Sequence, residues 1–432
     1  MVLSQYIMPP YAPSVSANPP TMPVGSTQKQ TLIADVSDAR WNEIRTKYPH
    51  FPPLMDINCL RREAALRLPK RMENYLSNIF IHDQRDSSML SLIVNICLTT
   101  VPLNICLFFN PSHMLGLFTI GFTLFMYLQR FILMMHYAEH RKLFKKPYHS
   151  VGQYFLSGCL CCFFGIPPGM YRLHHVVMHH IENNVFNEDL SSTEGYQRDH
   201  FGHFLIYYFR YFTHMILLPY YAIRKRRYKM AAVSVLSIFT WLFLIVIGMH
   251  KMPIFTLWAC VVPFVVTGLA MMFGNFSQHI FVHPSIATMK QNLKSYEFNC
   301  ALSLQSINHF DNQYNFNDGY HVTHHINSRV HWTELAHHFL HNIEKYVEHD
   351  VLVFDGLGFF DIGLNVMLGR LDVLADHYVH FTKEKRSQDE IIKELKLRLQ
   401  PIQRINRLVE AKDSVGGDGS DDNDDSTIKK GQ

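Results

Sequence analysis

Two stretches of this chain carry almost no charge, and that alone restricts the folds open to it. Between Asp86 and Arg130 there is no Asp, Glu, Lys or Arg, and the run is divided near its middle by Asn110-Pro111-Ser112-His113. A bilayer crossing needs about 20 apolar residues, each adding about 1.5 Å of helix, so each half suffices and the run reads as a helical hairpin, 88–109 and 114–135. The pattern returns from Met230 to Phe273 with a single charge, Lys251, beside Pro253, which predicts helices over 230–249 and 253–273. Two other apolar stretches are weaker: Val151–Ile166 stops at Pro167-Pro168-Gly169, and 204–223 contains Arg210 and His214. Such lengths and charges favour a re-entrant or interfacial helix over a free crossing.

Charge orients the hairpins. Arg141, Lys142, Lys145 and Lys146 follow the first, Arg224, Lys225, Arg226, Arg227 and Lys229 precede the second, and the opposite turns hold only Lys251. The positive-inside rule then places both hairpin bases, and with them both termini, in the cytosol. The expected organisation is an N-terminal arm (1–40), a cytosolic helical segment (41–87), a membrane domain (88–350), a C-terminal cytosolic helical region (351–412) and an acidic tail (413–432). The proline-rich arm has no basic region leading into an apolar core, so no signal peptide is expected. Ile391, Leu395 and Leu399 recur at helical spacing among dense charges, predicting an amphipathic surface helix ended by Pro401. A formal charge of +4, not gathered into one large run, gives no reason to expect nucleic acid as a partner. Six of the eight cysteines lie in apolar stretches with no secreted-scaffold spacing, which predicts reduced, core or lipid-facing thiols.

The 27 histidines are distributed unevenly, seven of them within 174–180 and 321–325. His136 and His140 follow the first hairpin at the i, i+4 spacing that stacks two imidazoles on one helix face. In His174-His175-Val-Val-Met-His179-His180, helical geometry puts 175 and 179 on one face and turns 180 by about 100° toward a second metal. Asn275-Phe-Ser-Gln-His279 leaves the fourth crossing, and His321-Val-Thr-His324-His325 follows. All four groups fall on the cytosolic side of the hairpins. Nine imidazoles (His136, His140, His175, His179, His180, His279, His321, His324 and His325) exceed the four ligands of a structural zinc site. Two metals sharing them is the natural division, and iron is the imidazole-binding metal that activates dioxygen. A histidine-rich transporter would instead place its ligands near mid-membrane.

The three boxes resemble those of the membrane-bound fatty acid desaturase and hydroxylase superfamily, H-x(3–4)-H, H-x(2–3)-H-H and H-x(2)-H-H with hairpins between, over roughly residues 88–350. The resemblance implies an all-α integral membrane fold: two transmembrane hairpins of about four crossings, interfacial helices, and a cytosolic helical cap holding a histidine-rich di-iron site. Asn275-x-x-x-His279 is similar to the N-x-x-x-H element of acyl-CoA desaturases, where the histidine ligates one iron and the asparagine acts through water. The run from His180 through Thr193 also resembles the segment after the second box in alkane hydroxylases, so the expected activity is desaturation of a fatty-acyl lipid or, at the same site, hydroxylation.

Hydrogen removal from an unactivated methylene exceeds what any side chain can do, so the metal pair must supply the oxidant and the protein the binding and orientation. Glu139, Glu182 and Asp189 are candidates to fix the imidazole tautomers, and His174 and Asn275 to act from beside the ligands. The expected substrates are a long-chain acyl lipid and O2. The chain has no flavin or nicotinamide fingerprint and no H-P-G-G haem motif, so a separate electron donor, cytochrome b5 or ferredoxin in type, is implied. Lys429 and Lys430, at positions -4 and -3, resemble a dilysine retrieval signal and point to the endoplasmic reticulum.

Overall fold

The computed structural model describes residues 38–57, 63–289 and 292–402, so most of the expected N-terminal arm, the acidic tail and the two lysines lie outside the described residues. The longer helices are α1 (Asp38–Lys47), α2 (Lys70–Phe80), α3 (Ser87–Phe109), α4 (His113–His140), α5 (Phe201–Arg224), α6 (Tyr228–Lys251), α7 (Pro253–Gln278), α8 (Phe359–Met367) and α9 (Gln388–Arg398). Among the described residues four helices, Gln84–Phe109, His113–His140, Tyr228–Lys251 and Pro253–Gln278, are long and apolar enough to cross a membrane. They form the two expected hairpins of an all-α membrane protein.

The breaks between crossings follow from local chemistry. Ser112 caps α4 by accepting a hydrogen bond from the Leu115 N–H at 3.1 Å, and Pro253 opens α7 at a position where its missing N–H costs nothing. Large apolar side chains point outward, among them Phe118 and Phe125 on α4 and Leu236, Phe239 and Phe243 on α6. That surface is stable only against lipid. The hairpins meet closely: a Cβ on Gly116 of α4 would stand 2.2 Å from the Trp258 ring of α7, so no larger residue fits that backbone approach.

Neither weaker stretch meets the length and composition of a crossing. Residues 149–164 bend through a helical turn, a π turn and a 3-10 turn before Gly165, whose φ of 73° lies in the left-handed region. There the chain touches the α7 backbone, and a Cβ would stand 2.1 Å from the Phe264 nitrogen. Helix α5 buries Phe204, Tyr207, His214, Leu218 and Tyr221 and exposes Ile206, Phe209, Ile216 and Tyr220, an apolar outer face suited to lying along a membrane.

The cap adds one feature that a purely helical reading omits. Strand β1 (Leu304–Ile307) pairs in parallel with β2 (Leu352–Asp355), Leu304 opposite Leu352 and Ile307 opposite Asp355. The connection between them carries the third histidine box on the short helix His321–Ile326. The cap and the inner ends of α3 and α4 share one core, in which Ile96, Phe131 and Met134 belong with Phe316, Tyr320 and Trp332. As the spacing predicts, α9 buries Ile391, Leu395 and Leu399.

Candidate metal centre

Helix α4 runs unbroken to His140, one turn past the predicted end, which puts His136 and His140 on its final turns. The chain then reaches His175–His179 as a π turn rather than an α-helical one. This wider winding corrects the expected division of the second box. Instead of 175 and 179 sharing a metal with 180 turned away, the backbone N–H of His180 bonds the His175 carbonyl, and the two side chains meet with their Nε2 atoms 3.2 Å apart. His179 is directed elsewhere. Such π turns occur within helices at functional sites.

Two groups of imidazoles result. His136, His140, His175, His180 and His324 offer ring nitrogens that all lie within 4.8 Å of one another, and so do His179, His279 and His325. His321 sits beside the second group, its Nε2 at 3.2 Å from that of His279 and 3.1 Å from that of His325. In the first group the contacts run through Nε2 throughout: His136 to His324 at 2.6 Å, His140 to His175 at 3.2 Å, and His324 to His180 at 3.2 Å. A neutral imidazole has one N–H, so it cannot satisfy two such neighbours, and a shared cation resolves the crowding. Two nitrogens at right angles about an ion bound at about 2.1 Å stand about 3 Å apart, close to the separations here. The donor set therefore fits metal.

The opposite ring nitrogens show how the rings are aimed. His179 Nδ1 donates to Asp189 Oδ2 at 2.6 Å, and His279 Nδ1 donates to the Leu302 carbonyl at 2.9 Å. Each bond fixes the tautomer that turns the Nε2 lone pair toward the group. Burial, reinforced by neighbouring imidazoles, holds His175, His180, His321, His324 and His325 well below the usual histidine range. Burial likewise lowers His279 to about 3. They are neutral and free to ligate. Burial pushes the Asp189 carboxyl up, but His179 and Ser191 more than reverse this and hold it below the usual carboxylate range.

The other residues singled out by sequence have varied settings. Glu139 is tied to Arg172 by an ion pair of 2.8 Å. Glu182 accepts from Tyr221 at 2.6 Å and pairs with Lys225 at 3.0 Å. The Asn275 amide donates to the Ser191 carbonyl at 3.0 Å and to the Tyr207 hydroxyl at 2.7 Å. His174 stacks on His214 with ring centroids 5.1 Å apart, and burial lowers its pKa to about 4.

Sequence reasoning missed Asp318. It is buried where the end of α4 meets the end of α7, accepting from Gln278, the neighbour of His279, at 2.5 Å and from Tyr137, the neighbour of His136, at 3.4 Å. Burial raises its carboxyl to about 7. Its only signal was its place three residues before His321.

A cavity of about 630 Å³ opens beside the histidines. His136, His175, His179 and His321 line one part, Leu124, Phe125, Leu128, Met170, Met271 and Met272 contribute to the apolar majority of the lining, and Gln129, Arg130, Asn275 and Asp311 are also on its wall. Beside it, Phe164 stacks on Phe131 at 4.0 Å, and Phe276 is buried in the core.

The fatty acid desaturase family matches residues 111–356, more than half of the chain and all three histidine boxes. The chain belongs to the fatty acid desaturase family. No curated protein and no solved structure matches it. Membership in the desaturase family carries desaturase- or hydroxylase-type oxidoreductase chemistry, and the crossings, histidine groups and apolar cavity are what such chemistry on a membrane lipid requires. In this desaturase-family chain the match begins at the first hairpin's turn and ends just after β2, leaving α9 outside it.

Proposed function

We propose that this protein is an O2-dependent, di-iron fatty-acyl desaturase of the endoplasmic reticulum, with both termini in the cytosol. The observation that carries the reading is the convergence of the imidazoles into two groups beside a cavity of about 630 Å³ lined mainly by apolar side chains. His136, His140, His175, His180 and His324 would hold one iron, and His179, His279 and His325, with His321 beside them, the other. Bound there, the irons supply with dioxygen the oxidant for an unactivated methylene.

The chain's own residues do the remaining work. The cavity walls from α4 and α7 exclude water and hold an extended acyl chain so that its reacting carbons lie beside the histidines. Asp189 and the Leu302 carbonyl keep His179 and His279 in the ligating tautomer. Tyr207 and the Ser191 carbonyl hold the Asn275 amide at the cavity wall. Electrons come from a separate cytochrome b5- or ferredoxin-type donor; within the basic segments 141–146 and 224–229, Arg141, Lys145, Arg224, Lys225 and Arg227 are engaged inside the fold, and the exposed Lys142, Lys146, Arg226 and Lys229 are the charges such a donor would meet.

The similarity of residues 180–193 to alkane hydroxylases favours one competing outcome, oxygen insertion at the same carbon. Expression in yeast with lipid mass spectrometry separates the two: a loss of two mass units marks desaturation and a gain of sixteen marks hydroxylation. No oxidised lipid, with His175→Ala and His324→Ala indistinguishable from wild type, would sink both readings.

A further inference from the structure

The loop after the second histidine box and the C-terminal end of α9 meet at one buried arginine. Arg198 is fully buried, and each of its side-chain hydrogen bonds ends on a backbone carbonyl. Nε donates to Ile280 at 2.8 Å, Nη1 to Thr193 and Glu194 at 3.1 Å and to Tyr196 at 3.2 Å, and Nη2 to Arg398 at 2.8 Å and Gln400 at 2.5 Å. A planar fork of five N–H groups joins three remote segments, which a lysine with three donors on one atom cannot do. Backbone bonds run alongside: Arg198 N–H to the Leu399 carbonyl at 3.0 Å, Val282 to Arg398 at 3.0 Å, and Ile402 to Glu194 at 2.8 Å.

From this junction the bonds continue to two histidines. The Thr193 hydroxyl donates to the His279 carbonyl at 2.7 Å. The Thr193 N–H donates to Asn184 Oδ1 at 2.7 Å, and the Asn184 N–H donates at 2.9 Å to Asp189 Oδ2, the oxygen that receives His179 Nδ1. Ile280, which Arg198 also grips, directly follows His279. Along its length α9 is anchored by buried Ile391 and Leu395, with Leu399 just past its end, and by Arg398 pairing with Glu394 and Asp350. Burial lowers the Arg198 pKa to about 9, so it stays charged at neutral pH.

We infer that Arg198 is a positioning residue through which the C-terminal segment 388–400, outside the region the family shares, sets His179 and His279 and thereby the occupancy of the three-histidine group. The inference rests on the proposed iron site. It is a statement about one half of that site: loosening the junction releases one metal and leaves the five-histidine group loaded.

The test is iron content and Mössbauer spectra of purified full-length protein, with His279→Ala and His324→Ala as references for loss from each group. Arg198→Lys keeps the charge and loses the fork. The expected result is a fall from about two irons per chain to about one, a remaining signal like that of His279→Ala, and unchanged helical circular dichroism. Thr193→Val leaves Arg198 in place and removes the hydroxyl's bonds to the His279 carbonyl and to the Asn184 side chain, both on the paths to the second group; the second iron should leave to a chelator about tenfold faster. Two irons and wild-type chelator kinetics in Arg198→Lys overturn the inference, as does a signal like that of His324→Ala. If Arg198→Lys loses both irons or fails to fold, Thr193→Val decides: selective release supports the inference, and wild-type kinetics or joint release of both irons overturns it. Wild-type protein that binds no iron would remove the proposed function, and this inference with it.

Discussion

The two histidine groups are built differently although both draw on the second and third boxes. Two of the five members of the first group stand on the last turns of α4, a helix of 28 residues whose inner face belongs to the main core. The second group takes one histidine from the π turn, one from the end of α7 and one from the short helix of the third box. Its rings are aimed by bonds to Asp189 and the Leu302 carbonyl. A long packed helix holds its side chains through many weak contacts, whereas residues at helix ends depend on a few directed hydrogen bonds. The first group should therefore tolerate changes to its surroundings, and the second should respond to single hydrogen bonds.

The harshest test removes ligands. His324→Ala in the first group and His279→Ala in the second should each drop lipid oxidation below detection, and iron analysis should show each retaining the other group's metal. Loss of both irons from either variant would mean that the groups are one cooperative unit. Next in size, Asp189→Asn removes the carboxylate behind His179 and should lower activity or iron affinity by about 10- to 100-fold, with the loss confined to the second group. A Cβ added at Gly274, on the cavity wall, would meet ring carbons of Phe359 and Phe360 at 3.6 Å, an ordinary contact. Gly274→Leu should fill substrate space and reduce turnover about tenfold or more while iron content stays unchanged in both groups.

Asp318 links the ends of α4 and α7 through Tyr137 and Gln278, so its titration reports on the contact between the two hairpins. An unfolded aspartate titrates near 3.9, and burial raises this one to about 7. Between those values the folded chain keeps a proton that the unfolded chain has released, so this group makes stability fall as pH rises from about 4 to about 7. Asp318→Asn should remove that part of the slope in metal-free protein, seen as a smaller fall in thermal midpoint between pH 5 and pH 8. The smallest effect is expected at Glu182, which accepts from Tyr221 and Lys225. Glu182→Gln should change activity by a few-fold at most, and a loss as large as that of Asp189→Asn would place it in the machinery of the second group.

Much of this architecture was legible in the chain itself. Runs of hairpin length with at most one charge, Asn110-Pro111 and Pro253 at their breaks, and histidines just beyond the crossings led to four membrane helices with the boxes at one end. These are local signals, because lipid forbids unpaired backbone and charge over a contiguous stretch and so writes itself into consecutive residues. The grouping of the histidines was not legible. Spacing on an α-helix joins 175 to 179, but the π turn pairs 175 with 180 and sends 179 to another centre. Asp318 and Arg198 belong to the same category. Their sequence neighbours give no hint that one would link the ends of α4 and α7 and the other would gather six carbonyls from three segments. Periodicity and charge by themselves determined the membrane frame and the set of residues rich in imidazole. Only the tertiary structure decided which imidazoles meet and what braces them, because those contacts join segments as much as 200 residues apart and depend on directed hydrogen bonds that no local pattern encodes.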